Sequence, residues 1–338
     1  LIFNIDIIQI NVKVMEIMVD LANTNILVTG GCGFIGSNFI ELVSKEYENV
    51  TIINMDKMGI GSRPLLEIPN SDKNKYIHLK CDIRHMNYLV NIYGYLEFDY
   101  IFHFAAESHV DRSISGPSQF IENNVMGMVS LLEWVRNYQP RAKVINISTD
   151  EVFGHLLNKD EPAFKESSPF NPRSPYSASK ASADLIANSY VSTYGLDIIT
   201  THCCNNFGKY QADEKFIPTV IRSIIRNEPI PVYGTGENIR EWIHVTDHNR
   251  WLLDVADSDF ARFRKSENIG TGIEKTNLDM IRDIGNILGV EPEIKFIEDR
   301  KGHDFRYAIE SYIPFELRDH DEALEETVEF YRNKYLKA

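Results

Sequence analysis

The sequence predicts an α/β fold: a doubly wound parallel sheet with a smaller C-terminal lobe closing over its ligand edge. Three observations carry this. Short apolar runs of strand length alternate with helical patterns from Asn25 to His202, the rhythm of βαβ units. A glycine-rich turn, Gly30-Gly31-Cys32-Gly33-Phe34-Ile35-Gly36, lies between the first strand and the first helix, a context that suits phosphate binding. After Gly208 the rhythm loosens, and Gly, Pro and charged residues separate short segments.

The strands are expected at Asn25 to Thr29, Val50 to Met55, Tyr76 to Lys80, Tyr100 to Phe104, Lys143 to Ile147 and Asp197 to His202. Helical patterns run from the glycine-rich turn to about Glu46, from Phe120 to Tyr138 and from Tyr176 to Tyr194. In the looser region three segments stand out: Phe216 to Asn227, Ile230 to Trp242 and Asn277 to Leu288. The expected division is therefore residues 24–207 for a dinucleotide-binding domain and residues 208–338 mainly for a substrate lobe, with a diffuse boundary.

Residues 1–23 are expected to be an extension outside the core fold. Asp6, Glu16 and Asp20 interrupt the apolar stretch, and Met15 or Met18 could be the true start. The stretch has no basic front, no long apolar run and no small-residue cleavage site, so it reads as neither signal peptide nor membrane span.

Bulk properties narrow the function classes. The chain has 338 residues, 43% hydrophobic and 25% charged, ordinary values for a soluble globular protein. Its net charge of −14 argues against a nucleic-acid or anionic-membrane surface, either of which needs basic patches. Cys32, Cys81, Cys203 and Cys204 show no metal-ligand spacing. A disulfide framework is unexpected in so long a chain, so a cytoplasmic setting with no bound metal fits.

In the glycine-rich turn, Gly30 permits the tight bend, Gly33 lets backbone approach a pyrophosphate, and Gly36 allows close helix–strand packing. The helix opening at Phe34 and Ile35 supplies amide donors and a favourable dipole. Asp56 lies twenty residues past Gly36, at the end of the second strand, placed for the adenosine ribose hydroxyls. An acid there repels a 2′-phosphate, so NAD is the expected cofactor rather than NADP, in the manner of a Rossmann domain. Asp82, before Ile83, either meets the adenine amino group or caps a helix. Ala105 and Ala106 are small where a cofactor would pass. Asn124 either holds a backbone bulge or a water, or is an ordinary surface residue.

The chemistry concentrates after the fifth strand, at Ser148-Thr149-Asp150-Glu151. Groups beyond the carboxyl ends of parallel strands face the ligand crevice, and adjacent carboxylates can take separate acid and base roles when their surroundings pull their pKa values apart. Tyr176 and Lys180 are one helical turn apart and share a face. A nearby ammonium favours the phenolate, so a lowered Tyr176 pKa is expected. With Thr149 bonding the same hydroxyl and NAD alongside, these groups suit oxidation of a secondary alcohol.

Tyr176-Ser177-Ala178-Ser179-Lys180 with the glycine turn resembles the extended short-chain dehydrogenase/reductase family. Ser148 to Gly154, Ala105-Ala106-Glu107-Ser108-His109-Val110-Asp111-Arg112-Ser113 and Gly302-His303-Asp304 with Arg306-Tyr307-Ala308-Ile309 resemble the dTDP-glucose 4,6-dehydratases. The likeness runs from about Asn25 to the C-terminus. It implies a tightly held NAD reduced and reoxidised within one turnover, a nucleotide-sugar substrate and a homodimer. It assigns Tyr176, with Thr149 and Lys180, to the hydroxyl on carbon 4, Glu151 to the hydrogen on carbon 5, and Asp150 to the departing hydroxyl of carbon 6. It also adds Lys57 to the cofactor contacts, beside Tyr176 and Lys180.

The same resemblance implies substrate contacts at Ser108, Asn205, Glu214, Lys215, Pro231, Tyr233 and Arg240, with Asn268 and His303 as weaker carry-overs. Asn205 would touch the diphosphate, which Arg240 would grip with its charged fork. The near relatives differ at the chemistry. A 4-epimerase resembles Ser-Ala-Thr where this chain has Thr149-Asp150-Glu151, and a UDP-xylose-forming decarboxylase resembles Thr-Ser-Glu. GDP-mannose dehydratases resemble Thr-Ser/Asp-Glu with an NADP-type pocket, so Asp150 together with Asp56 favours the glucose 4,6-dehydratase.

Several positions depart from the family pattern. Phe153 stands for Tyr, Cys32 for Ala, Lys57-Met58-Gly59-Ile60 is unusual, and Leu317-Arg318-Asp319 lacks the frequent Gly-Trp. They leave UDP-glucose open as an alternative to dTDP-glucose. A non-catalytic NAD-binding regulator is the rival class; it should have lost one of the five reactive residues, and all five are present.

Overall fold

The computed structural model describes residues 20–63, 74–89, 96–257 and 265–337; the expected extension over residues 1–19 lies outside them. Seven strands form one parallel sheet in the order β3-β2-β1-β4-β5-β6-β10. They are β1 (Asn25–Thr29), β2 (Thr51–Asp56), β3 (Lys75–Lys80), β4 (Tyr100–His103), β5 (Lys143–Thr149), β6 (Ile198–Cys203) and β10 (Ser266–Ile269). Along β1 the side chains alternate between two cores: Ile26 and Val28 join one, Leu27 the other. That period of two, with helices supplying apolar partners on both sides, makes the sheet doubly wound.

One core gathers Phe39, Ile40 and Val43 of the Phe34–Glu46 helix with Trp251, Leu252 and Val255 of the Val245–Asp257 helix. The other gathers Met128, Leu131 and Leu132 of the Gly127–Tyr138 helix with Ala183 and Ala187 of the Pro175–Tyr194 helix. Strand order reverses at β1, between β2 and β4, and a doubly wound sheet opens its crevice at that reversal.

The second lobe is built on β7 (Asn205–Phe207), β8 (Ile230–Tyr233), β9 (Ile239–His244), β11 (Glu274–Thr276) and β12 (Ile294–Ile297). β11, β9 and β7 form one small sheet, β12 and β8 another. Helices Phe216–Ile225, Asn277–Leu288 and His320–Leu336 bury Ile217, Ile281 and Leu324 against Trp242. The apolar segment Ile230 to Trp242 is thus two strands separated by a turn containing Gly234 and Gly236, both at positive φ.

Differences from the sequence expectation at three places bear on the architecture. Leu21 is fully buried in the same core as Ile26 and Val50, so the fold begins before Asn25. β5 runs to Thr149, not Ile147, because Ser148 and Thr149 pair with His202 and Cys203 of β6. The chain also returns to the first layer after Gly208: the Val245–Asp257 helix packs there, and β10 adds the seventh strand beside β6. A single cut at residue 208 therefore does not separate the layers. Periodicity cannot report which core a helix joins, because a helix in either lobe carries the same apolar stripe.

Candidate active site

The carboxyl ends of β1, β2, β4, β5 and β6 open into a cleft of about 330 Å³. Its walls include Thr149, Asp150, Glu151, Tyr176 and Lys180, and every residue expected at a cofactor: Gly30, Gly33, Phe34, Ile35, Gly36, Asp56, Lys57, Asp82, Ile83, Ala105 and Ala106. Ser108, Asn205, Glu214 and Lys215 line it too.

The glycine turn is shaped by lack of room. Gly30 sits at φ +73°, and a Cβ there would lie 2.6 Å from Ala105 backbone atoms; at Gly36 it would lie 2.6 Å from the Gly30 carbonyl oxygen. Gly33 caps the following helix without any side-chain hydrogen bond, which leaves first-turn amides for an anion. On Asp56 one oxygen accepts from the Met58 amide at 2.7 Å and the other from the Cys32 amide at 2.9 Å. The former, Oδ1, also accepts from the Ser62 hydroxyl at 3.5 Å, so of the two lone pairs on each oxygen it is Oδ2 that keeps one free for a ribose hydroxyl. These features fit a dinucleotide.

Neighbouring expectations resolve into particular bonds. Asp82 caps the Ile83–His85 turn, accepting from the Arg84 amide at 2.9 Å, and pairs with the Arg84 guanidinium at 2.9 Å. Its capping role and its place on the cleft wall coexist. Lys57 donates to Glu107 at 2.7 Å and to Asn123 at 3.0 Å. Asn124 lies in a π-helical segment, Ile121–Met126, a geometry frequent at functional sites. Its amide oxygen accepts from the Glu107 amide at 2.8 Å, and its nitrogen donates to Ser179 Oγ at 2.8 Å. Asn124 thereby ties the loop after β4 to the helix that carries Tyr176 and Lys180.

That helix starts sharply. Ser174 and Ser177 form a capping box with Pro175 in the first turn, an arrangement worth about 1 kcal/mol at the cap. Tyr176 and Lys180 then face the sheet, both buried. Lys180 Nζ donates to the Ile147 carbonyl at 2.9 Å. Thr149 caps the turn Asp150–Phe153. Its hydroxyl donates to Asp150 Oδ1 at 3.2 Å and accepts from the Glu151 amide at 3.4 Å.

Electrostatics divide the carboxylates. Burial holds Asp150 well above the usual carboxylate range, and Glu151 and Glu241 push it further, against Arg240. Burial also raises Glu151, but Arg300, Arg240 and Lys215 all oppose it. Asp150 is the better proton holder, and Glu151 has the cationic surroundings of a base. For Tyr176 the expected lowering is reversed. Burial raises its pKa, and the Glu151 carboxylate raises it again, while burial lowers Lys180. The desolvation of a phenolate in this wall outweighs the one-turn neighbour that sequence spacing suggested.

Other expected substrate residues lie apart from the cleft wall. Pro231 and Tyr233 are exposed on β8, with the Tyr233 ring 6.2 Å from that of His303. His303 Nδ1 sits 2.6 Å from Asp299. Arg240 is buried: its fork donates to the Ile239 carbonyl at 2.7 Å and the Asp304 carbonyl at 3.0 Å, and it stacks 4.3 Å over Tyr307. Its charge still reaches Asp150 and Glu151. Asn268 is fully buried, and its amide donates to the Phe164 and Glu310 carbonyls at 3.2 Å, a scaffold placement.

Three functional neighbours escaped the sequence reading. Arg300 acts on Glu151; its closeness to the Gly302-His303-Asp304 motif was the available signal. Asp184 follows Lys180 by one turn and accepts from Asn146 at 2.9 Å and Ser148 at 2.6 Å beneath the cleft; the i, i+4 spacing would have found it. Arg112 pairs with Glu214, and Lys215 donates to the Ser108 carbonyl at 2.9 Å, closing the lobes over the cleft. No sequence signal links those two loops. Phe153 fills an aromatic cluster, 5.6 Å from Phe164 and 5.5 Å from Phe170.

Residues 27–317 match the family model described as GDP-mannose 4,6 dehydratase. The chain is 38% identical over 335 residues to a dTDP-glucose 4,6-dehydratase of Haemophilus influenzae, covering 91% of this chain and 97% of the relative. It is 40% identical over 315 residues to one of Escherichia coli, covering 85% and 86%. A dTDP-glucose 4,6-dehydratase from Streptomyces venezuelae, solved with NAD bound, superposes with a TM-score of 0.83 at 36% identity, covering 91% of this chain and 97% of that one.

Proposed function

This chain belongs to the family described as GDP-mannose 4,6 dehydratase, and from that membership and its cleft we propose that it is an NAD-dependent nucleotide-sugar 4,6-dehydratase. The substrate is dTDP-glucose and the product dTDP-4-keto-6-deoxyglucose, as the names of its dTDP-glucose 4,6-dehydratase relatives suggest. The observation that carries the reading is the convergence of Thr149, Asp150, Glu151, Tyr176 and Lys180 on the wall that also holds the glycine turn and Asp56.

The cofactor site is formed by the helix-start amides, Asp56 and the small residues Ala105 and Ala106. Bound NAD supplies a hydride acceptor and, when oxidised, a positive ring charge that favours the Tyr176 phenolate. Tyr176 takes the proton of the carbon 4 hydroxyl, with Thr149 and Lys180 orienting it. The resulting ketone acidifies the hydrogen on carbon 5, which Glu151 removes. Asp150 protonates the leaving hydroxyl of carbon 6, and Glu151 returns its proton to carbon 5. An epimerase needs no acid for a leaving hydroxyl, so the Asp150–Glu151 pair favours elimination.

The test offers dTDP-, UDP- and GDP-sugars in turn and measures the alkali-induced absorbance of a 4-keto-6-deoxy product. Product from dTDP-glucose is expected; its absence with every sugar sinks the reading, and preference for UDP-glucose moves the nucleotide.

The working form in this reading is a cytoplasmic homodimer. Ile121 and Met126 of the π-helical segment and Leu185 of the Pro175–Tyr194 helix are 45%, 53% and 60% exposed, an apolar surface on two elements that pack together. A second copy covering it removes these side chains from water. Sedimentation should give a dimer, and Leu185→Glu should shift it to monomer; a monomeric parent protein at micromolar concentration defeats this assignment. Among the described residues all four cysteines are unpaired, and no helix is long and apolar enough to cross a membrane.

A further inference from the structure

Gly30, Gly33 and Gly36 account for the spacing of the glycine-rich turn and leave Gly31 without a part in it. The strand beside the turn supplies one. Asn54 lies within β2 and is fully buried, a costly place for a carboxamide unless its polar groups are bonded. Here both ends are bonded. Its oxygen accepts from the Gly31 amide at 3.0 Å, and its nitrogen donates to the Tyr76 hydroxyl of β3 at 2.9 Å. The same nitrogen contacts Cys32 Sγ at 3.4 Å. A Cβ on Gly31 would lie 2.6 Å from Asn54 Cγ, so the carboxamide sits flush against bare backbone.

Consecutive amides of the turn are consumed within the chain. Gly30 donates to the Met55 carbonyl at 2.9 Å, Gly31 to Asn54, Cys32 to Asp56 Oδ2 at 2.9 Å, and Gly33 to the Gly30 carbonyl at 3.0 Å. The first three of these bonds all run to β2, at residues 55, 54 and 56. The next amides, of Phe34 and Ile35, open the helix, where first-turn donors have no intrahelical partner. Both residues line the cleft. Two residues apart on one strand, the side chains of Asn54 and Asp56 share a face of β2 and bracket the turn together. Asp56 lines the cleft and Asn54 does not, so the Asn54 carboxamide acts on the turn and not on a ligand.

We propose that Asn54 is a positioning residue of the cofactor site: by holding Gly31 it sets the turn where the Phe34 and Ile35 amides meet the NAD pyrophosphate. This role rests on the NAD half of the reading above and adds to it a residue outside the cleft wall. Precision matters because an amide displaced by about 1 Å from its acceptor no longer makes a good hydrogen bond. Loss of the Asn54 carboxamide therefore weakens the hold on phosphate, while Asp56 keeps its hold on ribose.

The test loads the full chain with NADH and follows its displacement, by fluorescence, with ADP and with adenosine. Both probes contain the ribose that Asp56 meets; only ADP carries a diphosphate. The ratio of their displacement midpoints does not depend on how tightly NADH itself is held. In Asn54→Val, a substitution that suits a strand, the advantage of ADP over adenosine should fall by about 10-fold, the scale of a hydrogen bond to a charged group. Tyr76→Phe removes the hydroxyl that orients the carboxamide and should lower the same advantage by about 3-fold, the scale of a neutral hydrogen bond. A merely structural role would weaken both probes alike, so an advantage equal to the parent's in Asn54→Val overturns the assignment. If that variant does not fold, an unchanged advantage in Tyr76→Phe overturns it. A parent protein that binds NADH and ADP yet forms no keto-sugar overturns only the dehydratase reading; one that binds neither overturns both.

Discussion

Glu151→Gln lowers turnover by about 10²- to 10⁴-fold, the range of a lost general base, and leaves NAD binding unchanged. The amide keeps the length and most of the hydrogen bonding of the carboxylate but cannot hold the carbon 5 proton. The cations around it give the reason for so large an effect. Burial raises Glu151, and Arg300, Arg240 and Lys215 limit that rise, so of the two buried carboxyls Glu151 gives up its proton more readily than Asp150. Asp150→Asn loses a comparable factor from the acid side. Because burial raises Asp150, its proton is kept above the ordinary carboxylate range. The rate therefore falls as pH rises through the Asp150 pKa, and falls again toward acid as Glu151 is protonated. The checks are the keto-sugar absorbance for turnover and quenching of protein fluorescence for NAD. Retained turnover in Glu151→Gln would refute the assigned base.

Gly30→Ala abolishes NAD binding and lowers Tm. A methyl group here meets two obstacles together: the backbone sits at φ +73°, and the new carbon lies 2.6 Å from the Ala105 nitrogen and Cα. The left-handed backbone alone costs about 1–3 kcal/mol in a non-glycine residue, and the neighbouring atoms belong to main chain, which cannot rotate away. Relief requires the turn to separate from the loop after β4, and both line the cofactor wall. In differential scanning measurements NAD should raise the Tm of the parent protein and leave that of Gly30→Ala, already lower, unmoved. An NAD-dependent rise of equal size in both proteins would mean that the glycine is not needed for the cradle.

The glycine turn, Asp56 and Thr149-Asp150-Glu151 were legible in sequence because each lies within a few residues of a strand end. Strand ends are recognised from local apolar runs. Tyr176 and Lys180 were legible as a pair because helical spacing sets their common face. Asn268 shows where such reading stops. It lies within β10, and its amide is consumed by the Phe164 and Glu310 carbonyls, partners 104 and 42 residues away. Pro231 and Tyr233 likewise lie on the exposed face of β8, away from the cleft wall.

What the sequence alone determined is the α/β class, the places of the first six strands along the chain, the glycine-rich turn and the presence of Thr149, Asp150, Glu151, Tyr176 and Lys180, which line one cleft. These follow from periodicity, glycine spacing and residue type, all short-range properties of the chain. The tertiary structure decided the seventh strand at β10, the return of the Val245–Asp257 helix to the first layer, and the closure of Arg112 on Glu214. It also decided the charge balance, raising Tyr176 where helical spacing pointed to a lowered pKa. Burial and electrostatic surroundings depend on every group that packs nearby, whatever its place in the chain, so no window of sequence contains them.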